Sequence, residues 1–280
     1  MKADKSDTLI IMDKEAYRDR ILKEHLHTAT YEKAPAEANS KVFRELNKLC
    51  AKYNEILTKG EKRFIINDEW NTAYFYGLPK IHKSKEIIDK INESNTACIT
   101  LEIPSSLKMR PICGGPRAVT QGVSRLLHEI LSPLVPNLKS HIKDEWDFVR
   151  RFPKKIDFDA KLLSCDIVSL YSSIPIELGL EALEYWIEKL RHVIPQRFTK
   201  TFILEMAKFV LENNYCEFDS QMYRQIVGTA MGTIFAPPYA CLVIGFLEET
   251  ILYRVRCVNA DMVKSMFKIC MEFVLNSHST

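Results

Sequence analysis

The chain has 280 residues, of which 46% are hydrophobic and 27% charged. These proportions exclude a disordered, collagen-like or low-complexity protein and suit one large domain, or two packed subdomains, with a sizeable core. The net charge of +3 does not mark a nucleic-acid binder, but residues 78–128 carry eight Lys and Arg against four Asp and Glu, a local +4 that leaves the rest at −1.

In chain order, residues 8–12 (TLIIM) predict a short buried strand, and 14–24 a helix. From Lys41 to Lys59 a helical period places Val42, Leu46, Leu49, Ile56 and Leu57 on one face, and Gly60 supplies a stop. Between 61 and 117 that period fades and Pro79, Pro104, Pro111 and Pro116 punctuate what reads as strands and loops. A helix follows from about Val119 to Leu131, ended by Pro133 and Pro136. Residues 161–169 (KLLSCDIVS) have the apolar, β-branched look of a central strand. Helices at 177–191 and 199–212 come next, then two strands, 215–218 and 221–226, around an Asp219-Ser220 turn. The last predicted element is a helix from about Pro238 to Arg254. This order gives an α+β fold class.

Eight dispersed cysteines show neither CxxC nor zinc-ligand spacing, which predicts reduced, core-packed thiols in an intracellular protein. The first residues lack the apolar run of a signal peptide. Gln225 to Leu247 carries no charge, and Gly228 and Gly232 have GxxxG spacing. Adjacent Pro237 and Pro238 favour a buried turn and buried helix over a membrane span, so no membrane partner is expected.

Three groups of residues could carry chemistry. Asp166 ends an apolar strand, where a carboxylate needs a cation or a metal to offset burial; taken alone, a strand-end Asp that caps the next turn is the favoured explanation. Val168 removes the dehalogenase-type pattern, which needs a second Asp there. Tyr171, five residues on, suits contact with a sugar ring or a place in the core. Gly228 to Pro237 (GTAMGTIFAP) holds small residues that allow close backbone approach, to a ligand or to another helix. It is no Walker loop, since no Gly-Lys-Ser/Thr follows. Lys80, Lys83 and Arg110 lie on proline-fixed extended pieces and suit phosphate contacts.

Taken in order, GLPKIHK (77–83), RPI (110–112), DIVSLYSSIP (166–175) and GTAMGTIFAPPYA (228–240) resemble the reverse transcriptases of Penelope-like retroelements. KADKSDTLIIMDKEAY (2–17) and HIKDEWDFV (141–149) resemble that group's flanking segments, so the likeness covers residues 2–250. The resemblance implies a right-hand polymerase with an α-rich N-terminal extension (1–75), a fingers-like region (76–160), a partial palm (161–254) and a divergent tail (255–280). It implies that Asp166 and the Ile167 carbonyl hold Mg²⁺ and that Tyr171 is the steric gate against ribonucleotides. Lys80, Lys83 and Arg110 would face the dNTP triphosphate, and Met231, Gly232, Ala236 and Pro237 would lie under template and incoming nucleotide. RNA template, DNA primer and a nuclear location follow from the same resemblance. The chain departs from the family where a Tyr/Phe-x-Asp-Asp hairpin is due: no Asp-Asp pair occurs in the 280 residues, and Asp261 is the one Asp near that place. Two Mg²⁺ ions about 4 Å apart need several carboxylates to offset their repulsion. The expectation is thus a polymerase segment cut short before that motif and inactive by itself, with an unpaired edge beside the Asp166 strand. The alternatives are a non-catalytic module holding RNA or an RNA–DNA hybrid, and a degraded element copy.

Overall fold

The computed structural model describes residues 1–155, 167 and 169–251. Helix α1 (Lys14–Ile21) starts where the Asp13 side chain accepts the Ala16 N–H, and it runs on through a wider turn at Leu22–Leu26. The residues before it are not a buried strand: Leu9 and Ile11 are 81% and 101% exposed. Their backbone groups bond to the first residues instead, Ala3 N–H to Thr8 O (2.9 Å) and Ile10 N–H to Met1 O (2.8 Å), so no sheet edge recruits them.

Strand β1 (Tyr31–Lys33) precedes α2 (Ala38–Lys52) and α3 (Lys59–Ile65). The helix expected to reach Lys59 ends seven residues earlier. Thr58 and Glu61 form a reciprocal capping box that starts α3, so Gly60 lies inside a helix and stops none. Strand β2 (Ala73–Pro79) leads through a short turn into α4 (Lys85–Glu93), a helix the sequence reading did not expect. Its apolar residues are few, Ile87, Ile88 and Ile91, and of these only Ile87 is buried. Strand β3 (Met109–Gly114) and α5 (Gln121–Leu131) follow, and Pro133 and Pro136 turn the chain into a tighter helical segment, Ser132–Asn137. After α6 (Glu145–Arg151) come the one-turn α7 (Leu170–Ser173), then α8 (Ile176–Lys189) and α9 (Lys200–Glu212). Strands β4 (Asn214–Phe218) and β5 (Gln221–Gln225) and helix α10 (Ala236–Thr250) complete the described fold, all close to expectation. The 161–169 strand falls almost wholly outside the described residues.

The architecture is α+β, with a mixed five-stranded open sheet in the order β1-β5-β4-β2-β3. Neighbours are antiparallel except β2 and β4, which pair in parallel at Ala73–Cys216 and Tyr74–Glu217. The β4–β5 turn places Asp219 and Ser220 at φ +50° and +61°, as a two-residue hairpin requires, and Arg18 of α1 holds Asp219 at 2.5 Å. One sheet face, with Ala73, Phe75, Met109, Cys216 and Tyr223, packs on Ile21 and Leu26 of the N-terminal helix. The alternate residues Tyr74 and Tyr76 are exposed.

The larger core joins α2, α3, α5, α8, α9 and α10. Leu46, Val123, Leu127, Leu183, Phe202 and Leu242 are wholly buried there, each worth roughly 1.5–3 kcal/mol of transfer free energy. The Trp186 indole N–H donates to Leu242 O (2.8 Å), so the largest core side chain leaves no polar atom unpaired. The uncharged 225–247 stretch is a buried turn and a buried helix, and among the described residues no helix is long and apolar enough to cross a membrane. Not every thiol is core-packed: Cys50 and Cys216 are buried, but Cys98 and Cys241 are exposed.

Candidate functional site

Strand β3 ends the sheet, and an open sheet edge leaves backbone donors and acceptors unpaired. The loop between β5 and α10 covers part of that edge: Cys113 N–H donates to Met231 O at 2.7 Å. Gly232, at φ +126°, lies so close that a Cβ there would sit 2.3 Å from Cys113 O. Helix α5 fixes the same loop from behind, because Ser124 Oγ accepts Phe235 N–H (3.0 Å) and His128 Nδ1 bonds Ile234 O (3.1 Å).

The far end of this loop meets the turn that carries Tyr171. Thr229 N–H donates to Tyr171 O at 2.7 Å, and a Cβ on Gly228 (φ +78°) would lie 2.2 Å from that oxygen and 2.7 Å from Ser172 Cα. Only glycine permits this approach. The turn is itself tightly tied: Ser169 takes a left-handed conformation (φ +55°), and its carbonyl accepts Ser172 N–H, Ser172 Oγ–H and Ser173 Oγ–H at 3.0–3.1 Å. A non-glycine residue in that region carries strain that the surrounding bonds must hold.

Arg110 is the cation of this junction. Its positive charge acts on the Tyr171 phenol, opposing the upward pKa shift that burial imposes on that group. Burial first, then the charges of Arg110 and Lys83, push the Lys80 ammonium below its usual pKa, which places the three cations in one cluster. Within it Lys80 is half-buried and Lys83 exposed.

The sequence reading missed what holds this cluster. Asp4, 5% exposed, pairs with Arg110 Nε at 2.8 Å, and its own N–H donates to Pro79 O at 2.9 Å. Arg20 donates to the carbonyls of Leu107 and Pro104, and Glu24 Oε2 accepts Met109 N–H at 3.0 Å, so the N-terminal helix fixes the loop entering β3. Ser124 and His128 were missed for the same reason: each of these side-chain contacts, Asp4–Arg110 included, links residues 84 to 111 positions apart. No local pattern announces such pairs.

The remaining expected site residues fall as follows. Asp166 lies outside the described residues, as does Asp261, while Ile167 is half-buried. Met231 is half-buried, Gly232 and Pro237 are exposed, and Ala236 is buried at the start of α10. Cys241, one helical turn past Pro237, is also exposed, and its thiol adds to the upward pKa shift of the Tyr171 phenol, so this face of α10 lies near Tyr171. Among the described residues no group of three or more His, Cys, Asp or Glu side chains could hold a metal ion. The chain matches no known protein family, no curated protein and no solved structure.

Proposed function

We propose that the chain carries the fingers and the first palm segment of an RNA-directed DNA polymerase, a reverse transcriptase resembling those of Penelope-like retroelements. The observation that supports this most is the meeting of three sequence-distant motifs. The Arg110 strand, the Tyr171 turn and the 228–235 loop are joined by Cys113–Met231 and Thr229–Tyr171 backbone bonds, both 2.7 Å. A polymerase needs cations for a triphosphate, an aromatic near the sugar and a small-residue loop beneath the base pair, and these are the residue types gathered here.

In this proposal Arg110 and Lys80 meet the dNTP phosphates, with Lys83 at the rim. Tyr171 flanks the sugar, and Gly232 and Pro237 give template and nucleotide a surface without protruding side chains. Mg²⁺ belongs to the proposal through Asp166 and the Ile167 carbonyl. The sequence holds no Asp-Asp pair and the described residues supply no further carboxylate cluster, so the described residues by themselves make no two-ion centre. The expected chemistry of the purified chain is therefore binding without sustained synthesis. The RNA template, DNA primer and nuclear location stand on the same proposal.

Two measurements test it. A primer–template duplex should bind with salt-dependent affinity that falls in Lys80→Ala, Lys83→Ala and Arg110→Ala, with a flatter log–log salt slope in each. Primer extension should stay at background. Affinity that ignores salt and all three substitutions would remove the proposal; robust Mg²⁺-dependent dNTP incorporation, abolished in Asp166→Ala, would overturn the claim of an incomplete centre.

A further inference from the structure

We infer that a second groove, between α3, the entry to β2 and α5, binds single-stranded nucleic acid by stacking a base on aromatic side chains and holding its phosphates with two arginines. The groove has a volume of about 110 Å³, and Phe64, Asn67, Trp70, Arg117, Gln121 and Arg125 are among the residues that line it. That is smaller than the roughly 150 Å³ of a closed cavity that encloses a benzene ring, so the open groove receives the edge or one face of a single ring and no larger ligand.

Close packing creates the groove. Gly122 of α5 lies against α3 so tightly that a Cβ there would meet Ile65 Cα at 2.7 Å and Phe64 O at 3.0 Å. This contact brings the α5 arginine beside the α3 aromatic: the Arg125 guanidinium sits 5.6 Å from the Phe64 ring centre. On the other wall Asn71 N–H donates to Arg117 O at 2.9 Å, which holds Trp70 and Arg117 on adjoining segments. Trp70 is further braced by Phe43, with ring centres 6.2 Å apart.

The exposed chemistry favours a polyanion with aromatic faces. Phe64 is 48% exposed, so its ring is reachable from solvent beside Arg125. Arg117 and Arg125 are both exposed, and neither has a carboxylate within ion-pair distance among the described residues. No Asp or Glu lines the groove; Asp68 and Glu69 belong to the turn between Asn67 and Trp70 but stay outside the lining. Aromatic rings beside unpaired guanidinium groups suit a strand whose bases are free to splay, and a duplex, with its bases stacked inside, could not use them. Neither Arg110, Tyr171 nor any residue of the 228–235 loop lines the groove, so the inference does not rest on the polymerase proposal.

The test is a fluorescence-anisotropy titration of the whole chain with labelled single-stranded 12-mers of RNA and of DNA over a range of salt. Phe64→Ala should weaken binding by about tenfold, the effect of losing one base–aromatic stack. Arg117→Ala with Arg125→Ala should flatten the salt slope by about 1.4, since each single-strand phosphate contact contributes about 0.7. Arg117→Lys with Arg125→Lys should restore the slope but not the full affinity. Circular dichroism on each variant separates lost binding from lost fold, and Phe64, being half exposed, should leave the fold intact. Wild-type affinity and slope in the double alanine variant would overturn the inference, as would tighter binding of a phosphoserine peptide than of either 12-mer. Loss confined to Lys80→Ala and Arg110→Ala would sink the groove while leaving the polymerase proposal standing.

Discussion

Gly228→Ala probes the backbone approach on which the candidate site depends. The residue sits at φ +78°, where a side chain costs about 1–2 kcal/mol. Its Cβ would stand 2.2 Å from Tyr171 O and 2.7–2.8 Å from the Ser172 Cα and carbonyl carbon. These are backbone atoms, so no side-chain rotation relieves the clash. The segment has to move, and the Thr229–Tyr171 hydrogen bond, worth about 0.5–1.5 kcal/mol, is lost with it. The sum is about 2.5 kcal/mol. At about 2–4 °C per kcal/mol for a chain of this size, the melting temperature should fall by about 5–10 °C, measured by circular dichroism or differential scanning fluorimetry. Gly60→Ala is the matched control: no atom lies within 4 Å of its Cβ position, and alanine in a helix should stabilise by about 0.5 kcal/mol. Equal melting temperatures for Gly228→Ala and the parent would refute the claim that the loop and the Tyr171 turn are in backbone contact.

Glu61 should confer an acid-side loss of stability: hydrogen bonds from Arg197, and then from Thr58, hold its carboxyl at about 2 against an ordinary 4.5 despite the opposing effect of burial. A depressed folded-state pKa means stability present above pH 4.5 and lost as the pH falls toward 2, so Glu61→Gln should flatten the melting-temperature profile in that window. A profile with the parent's slope there would assign the loss to other carboxylates. Asp4→Ala should destabilise by about 1–2 kcal/mol in urea titrations, modest because Arg110 is about one-third exposed and water screens the pair. Arg110→Ala combined with it should cost less than the two single changes summed; strict additivity would mean that the ion pair does not couple the N-terminal segment to β3.

Where side-chain pattern repeats within a few residues, the sequence was readable. The α5, α8, α9 and α10 helices and the β4–β5 hairpin match it because periodic burial and turn chemistry act locally. The TLIIM segment misled because a short apolar run needs a sheet edge to become a strand, and this one folds onto the first three residues instead. Gly60 misled because the capping signal of Thr58 and Glu61 outweighs one glycine.

The sequence alone settled the composition of the candidate site: which cations, which tyrosine, which small-residue loop, and that no Asp-Asp pair is present. Only the folded chain decided that the β3 strand, the Tyr171 turn and the 228–235 loop meet, that Asp4 grips Arg110, and that Phe64 and Arg125 open a second groove. The reason is physical. A residue's chemistry is fixed by its own atoms, whereas its partners here lie tens to more than a hundred positions away, brought close by glycines with no side chain to keep two backbones apart.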